Sequence, residues 1–223
     1  MKRLRTRLGS HTELDSGFSL IEVIMAIIVI GIISTASLSI YLQSMNSAST
    51  QQRREIAITI ANQTMENVNV WSTATDPDSG VSALYAGRTE PRVRQFWIAN
   101  ELVSGVSQTY PMWDPRLPAV PALPEALAIK PSDPVVRSGT EFTVGTLIGT
   151  CYQLKTGGDC TRIPGWSGYP LAISAANAAL YTPLTRVIVI VRWTAGGVCD
   201  SGGCMYQTAT LIDLNSDLEW NTP

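Results

Sequence analysis

The sequence predicts an α+β protein in which a long N-terminal helix, membrane-spanning at first and amphipathic later, packs on a small antiparallel β-sheet. Three observations predict it. Between Phe18 and Leu42 the only charged residue is Glu22. From Gln51 to Trp71 apolar residues recur every three or four positions. Near the C-terminus, Val187–Trp193 and Met205–Leu214 read as strands joined by a glycine-rich connection. At 223 residues the chain can hold one moderate domain besides a membrane segment.

The first element begins with the apolar run. Val23–Ile33 contains nothing polar, and the whole stretch exceeds the ~20 residues a helix needs to cross a bilayer. A helix apolar all round has no face to offer water. Lys2, Arg3, Arg5 and Arg7 precede it, which places the leader on the cytoplasmic side and the residues after 43 outside. An ordinary secretory signal would instead be cut after the apolar run, where Thr35-Ala36-Ser37 offers small residues. Glu22 separates the two. An acidic residue costs about 2.5–3.5 kcal/mol at the bilayer centre and less near its surface, so plain anchors avoid it.

A basic leader, then Gly17, Phe18 and Ser19-Leu20-Ile21-Glu22, resembles the class III signal of type IV prepilins. The resemblance implies that a prepilin peptidase cuts between Gly17 and Phe18 and methylates the new Phe18 amine. The ammonium of an incoming subunit then pairs with Glu22 of a neighbour in an apolar filament core, so two charges that are each costly alone offset one another and fix register. The positive end of the helix also favours a carboxylate there. Many major pilins carry a proline in the latter half of this helix. Ser34–Ser39 has none, and Gly31, where related pilins often have glycine, is the residue that would loosen it. The partners implied are other pilin subunits, the peptidase and the membrane assembly machinery. The location implied is a single-pass precursor in the cytoplasmic (inner) membrane with its C-terminal domain outside, then an extracellular filament.

The amphipathic half carries Ala57, Ile60, Ala61, Thr64, Met65, Val68 and Trp71 on one stripe, with Gln52, Asn62, Gln63, Glu66 and Asn67 opposite. Its stretch from Arg53 to Val68 also looks like the equivalent region of PilV-type minor pilins and secretion pseudopilins. The stripe needs a partner, and Val187, Val189, Val191 and Trp193 offer one, with Ile188 and Ile190 on the other strand face. Glu141–Leu154 is a third strand candidate. Between helix and sheet, seven prolines from Pro111 to Pro134 oppose regular structure. A short helix is expected over Arg92–Leu102, with Val93, Phe96, Trp97 and Leu102 on its face. Trp97, Trp113 and Trp166 are expected as core aromatics ahead of a binding surface. The segments are therefore 1–17 leader, 18–42 apolar helix, 43–71 amphipathic helix, 72–140 proline-rich insertion and 141–223 sheet region.

The chemistry points away from catalysis. Net charge is −2, and the leader, with four basic and two acidic residues, accounts for +2, which leaves −4 on the processed chain. An acidic domain offers nucleic acid no cluster of Lys and Arg. His11, the one histidine, lies in the leader, so the processed chain has no imidazole base or ligand. Cys151 and Cys160, and Cys199 and Cys204, form two close pairs suited to disulfides in an oxidising compartment, with crossed pairing or reduced thiols as alternatives. Gly157-Gly158 and Gly202-Gly203 are turns rather than phosphate loops. Asp213–Glu219 has alternating oxygen ligands, but Leu218 stands where a calcium loop needs glycine, so no metal or cofactor is expected. The expected function is a structural minor pilin of a type IV pilus-like filament. The alternatives are a type II secretion or competence pseudopilin, or a single-pass surface binding protein that never polymerises.

Overall fold

The computed structural model describes residues 17–73, 81–117, 125, 127–130, 133–167, 173–194, 199 and 203–213. The chain divides into two compact units, one ending at Ser49 and the other beginning at Thr50. Helix α1, Leu20–Thr73, runs through 54 residues of both. Its first turn is set by the Ser19 carbonyl, which accepts from the Glu22 and Val23 amides, and Glu22 lies where the helix dipole favours an acid.

In the second unit the elements follow as α2 (Val81–Leu84), α3 (Glu90–Ile98), β1 (Tyr110–Pro111), β2 (Val135–Arg137), β3 (Thr140–Leu154), α4 (Ala175–Leu180), β4 (Tyr181–Trp193) and β5 (Cys204–Asp213). All pairings are antiparallel, in the order β1-β3-β4-β5 with β2 also on β3. The β2–β3 turn is Ser138-Gly139, both at positive φ (48° and 71°), the hand that matches the twist of a two-residue hairpin. β4 pairs with β3 along its whole length, from Phe142 opposite Trp193 to Leu154 opposite Tyr181.

One sheet face packs on α1. Phe142, Val144, Val189, Val191 and Trp193 meet Ala57, Ile60 and Ala61. One helical step further, Ile148 and Val187 meet Val68 with Leu84 and Leu127. Each of the buried Val, Ile and Leu side chains contributes about 1.5–3 kcal/mol. Gln52, Asn62, Gln63, Glu66 and Asn67 are exposed, as the helical period requires. Trp71 corrects the predicted stripe: it is 42% exposed, because the packed contacts of α1 end with Val68.

The opposite face of β3 and β4 is covered too. Leu147, Ile188 and Ile190 pack on Trp97, Val103 and Val106. Gly145 and Gly149 make room for this layer. A Cβ at Gly149 would lie 2.8 Å from the Trp97 ring and 2.7 Å from Thr109 Cγ2, besides striking the Tyr110 carbonyl. Helix α3 starts two residues before the predicted Arg92 because Pro91 suits the first turn. It stops at Ile98 rather than Leu102. Asn100 Nδ2 donates to the Phe96 carbonyl at 2.7 Å and closes the helix end, while Leu102 is 97% exposed. Among the described residues between Met112 and Pro134 there is neither helix nor strand.

Two buried charges lie in this layer, and one of them, Arg88, ties it to the sheet. Arg88, 1% exposed, donates from Nε and Nη2 to the Leu127 carbonyl (3.0 and 2.8 Å) and from Nη1 to the Thr146 carbonyl (3.0 Å). Asp114 accepts from the Gly87 amide at 3.0 Å and from Arg116 Nε and Nη2 at 2.9 Å each.

Candidate functional site

The candidate site is the head of α1. Gly17, Phe18 and Ser19 precede the helix in irregular backbone, and Phe18 is 82% exposed. Gly17-Phe18 is thus an accessible peptide bond immediately outside a helix. An added Cβ would meet no atom within 4 Å at Gly17 or at Gly31. The described fold therefore requires glycine at neither position. Glu22 lies one turn beyond Phe18, on the exposed helix surface.

From Leu20 to Leu42 every residue of α1 is exposed. Apolar surface of this extent is unstable against water and calls for lipid or for other subunits. The helix is long and apolar enough to cross a membrane, and its apolar window is not buried inside the protein, which sets it apart from a soluble-core helix. Three hydroxyls in it are satisfied locally: Thr35 Oγ1 donates to the Ile32 carbonyl at 2.9 Å, Ser37 to Ile33 at 2.8 Å and Ser39 to Ala36 at 2.8 Å. Polar side chains at membrane depth need such partners, and their bonds back to the helix slightly weaken and bend it.

The cysteines are brought together as Cys151–Cys160 and Cys199–Cys204, with Cα separations of 5.3 and 5.1 Å. The first bridge is buried at the end of β3 beside Leu184. The second joins Cys199, within the β4–β5 connection, to Cys204, the first residue of β5. Lys2, Arg3, Arg5, Arg7 and His11 lie outside the described residues, as does the Asp213–Glu219 pattern beyond Asp213, which ends β5. Trp97 and Trp113 are buried as expected, whereas Trp166 is only half-buried.

The exposed Gly17-Phe18 bond, an acid one turn into the helix and an uncovered apolar span lie together at the head of α1. Residues 14–38 match the family described as the prokaryotic N-terminal methylation motif, so this segment is a type IV prepilin-like class III signal. No curated protein and no solved structure matches the chain.

Proposed function

We propose that the chain is a minor pilin: a structural subunit cut after Gly17, methylated at Phe18 and assembled through α1 into a type IV pilus-like filament. The observation that carries it is Glu22, an acid one turn from the cleavage junction on a helix whose remaining surface there is apolar and uncovered. Removal of the leader creates the Phe18 ammonium, the one cation able to enter the same apolar environment from the neighbouring subunit and neutralise Glu22. The neutral alternative, a protonated Glu22, would lose the register that the pair supplies. The protein passes from the cytoplasmic membrane into an extracellular filament, and the sheet domain decorates its surface.

Mass spectrometry of the membrane-extracted protein is expected to give a mature chain beginning at N-methylated Phe18. A chain beginning after Ala36 or Ser37 would make this an ordinary secreted domain. Glu22→Ala is expected to leave cleavage intact and to reduce incorporation into filaments at least ten-fold, scored by immunoblot of sheared filaments. Undiminished incorporation would remove the pairing argument.

A further inference from the structure

On the sheet face covered by α3 lies a cleft of about 470 Å³, within the ~300–1,000 Å³ range of small-molecule sites. Pro111 and Trp166, both half-buried, and the more deeply buried Trp97 and Tyr110 give it an apolar lining, and Arg94 and Arg162 line it as well. No carboxylate is among its described lining residues, in a chain that is acidic as a whole. Both guanidinium groups lie over aromatic rings, Arg94 at 4.8 Å from the Trp113 centroid and Arg162 at 5.1 Å from that of Tyr110. Arg162 spends Nε and Nη2 on the Thr109 carbonyl (3.0 and 2.6 Å), and Arg94 spends Nε on Glu90 (2.7 Å). Their remaining amino groups have no protein partner among the described residues.

The wall that carries Ile163 and Trp166 is held from four directions. The Cys151–Cys160 bridge anchors its start. Thr161 exchanges backbone hydrogen bonds with Tyr152 (2.8 and 3.0 Å). Arg186 Nη2 donates to the Cys160 carbonyl at 2.8 Å. The Tyr110 hydroxyl lies within hydrogen-bonding distance of the Trp166 carbonyl (2.9 Å) and the Ile163 carbonyl (3.1 Å). The cleft is therefore formed before any ligand arrives, which spares a ligand the cost of ordering it.

We propose that this cleft binds a carboxylate-bearing saccharide. A pyranose ring presents an apolar C–H face, which packs on aromatic walls, and hydroxyls at its edge. Guanidinium groups with free donors recognise a carboxylate in a planar, two-point geometry. An extended peptide fits less well, because β-augmentation needs main-chain donors and Pro111 in the adjoining edge strand has none.

The test is isothermal titration calorimetry of the full chain in detergent, with trigalacturonate as probe and maltotriose as its neutral counterpart. Saturable binding of trigalacturonate is expected, at least ten-fold tighter than maltotriose and not displaced by equimolar inorganic phosphate or sulfate. Arg94→Gln, at a side chain about half exposed (53%), should weaken binding at least ten-fold while Arg94→Lys restores part of it. Trp166→Ala should act in the same direction. Absence of saturable binding, equal affinity for maltotriose, displacement by phosphate or sulfate, or binding unchanged in Arg94→Gln would each overturn the proposal. Circular dichroism of each variant confirms the fold.

Discussion

Asp114 shows what a single residue does in this fold. Its carboxylate is buried and held at about 2, below its usual value, chiefly by the hydrogen bonds from Arg116, with the Gly87 amide adding to the effect against the cost of burial. A carboxylate whose pKa is lower in the folded than in the unfolded state stabilises the fold above its unfolded pKa. That contribution is lost as pH falls through the folded value. For Asp114 the window runs from about pH 4 down to about pH 2, and the contribution is about 2 kcal/mol. Asp114→Asn is expected to destabilise the full chain by about this amount at neutral pH. The difference between wild type and variant should shrink from about pH 4 and vanish only below about pH 2 in urea unfolding followed by tryptophan fluorescence. Arg88 is the matching cation, and its partners are carbonyls rather than acids. Neither residue stands out in the sequence, because Gly87 and Asp114 are 27 positions apart, and Arg88 and Thr146 are 58 apart.

At the scale of elements, the three long strands and α1 follow from local pattern. β-branched runs make β3 and β4, alternation makes β5, and the 3.6-residue period marks Ala57, Ile60, Ala61 and Val68. The ends of elements depend on contacts that no local pattern contains. Trp71 continues the period of α1 yet stays 42% exposed, and α3 ends where the Asn100 side chain caps it rather than where apolar residues run out. Gly149→Ala tests the close approach of the two layers. The added methyl must displace Trp97, Thr109 or the Tyr110 backbone, and a loss of about 1–3 kcal/mol in unfolding free energy is expected. The bridges differ in the same way. Replacing both Cys151 and Cys160 by serine removes a buried cross-link with nine-residue separation and should cost about 2–4 kcal/mol. The Cys199/Cys204 double-serine variant, with five-residue separation and half-buried residues, should lose less. Thermal unfolding of the two variants side by side measures the difference.

At the scale of the molecule, the N-terminal segment was legible because its signal is linear chemistry. Charge before the span, Gly17-Phe18, Glu22 and an uninterrupted apolar run act through composition and order, and no distant part of the chain has to meet them. The sequence by itself therefore determined the prepilin-like signal of residues 14–38 and the helix-on-sheet architecture. It also brought forward the two cysteine pairings, without excluding crossed ones. Only the tertiary structure decided that the middle of the chain forms a second layer over the sheet, with Trp97 against Leu147 and Ile188, and a cleft beside it. The physical reason is separation along the chain. Arg186 reaches Gly105 across 81 residues, and the packing of Trp97 depends on a glycine at 149 that only a folded sheet brings beneath it.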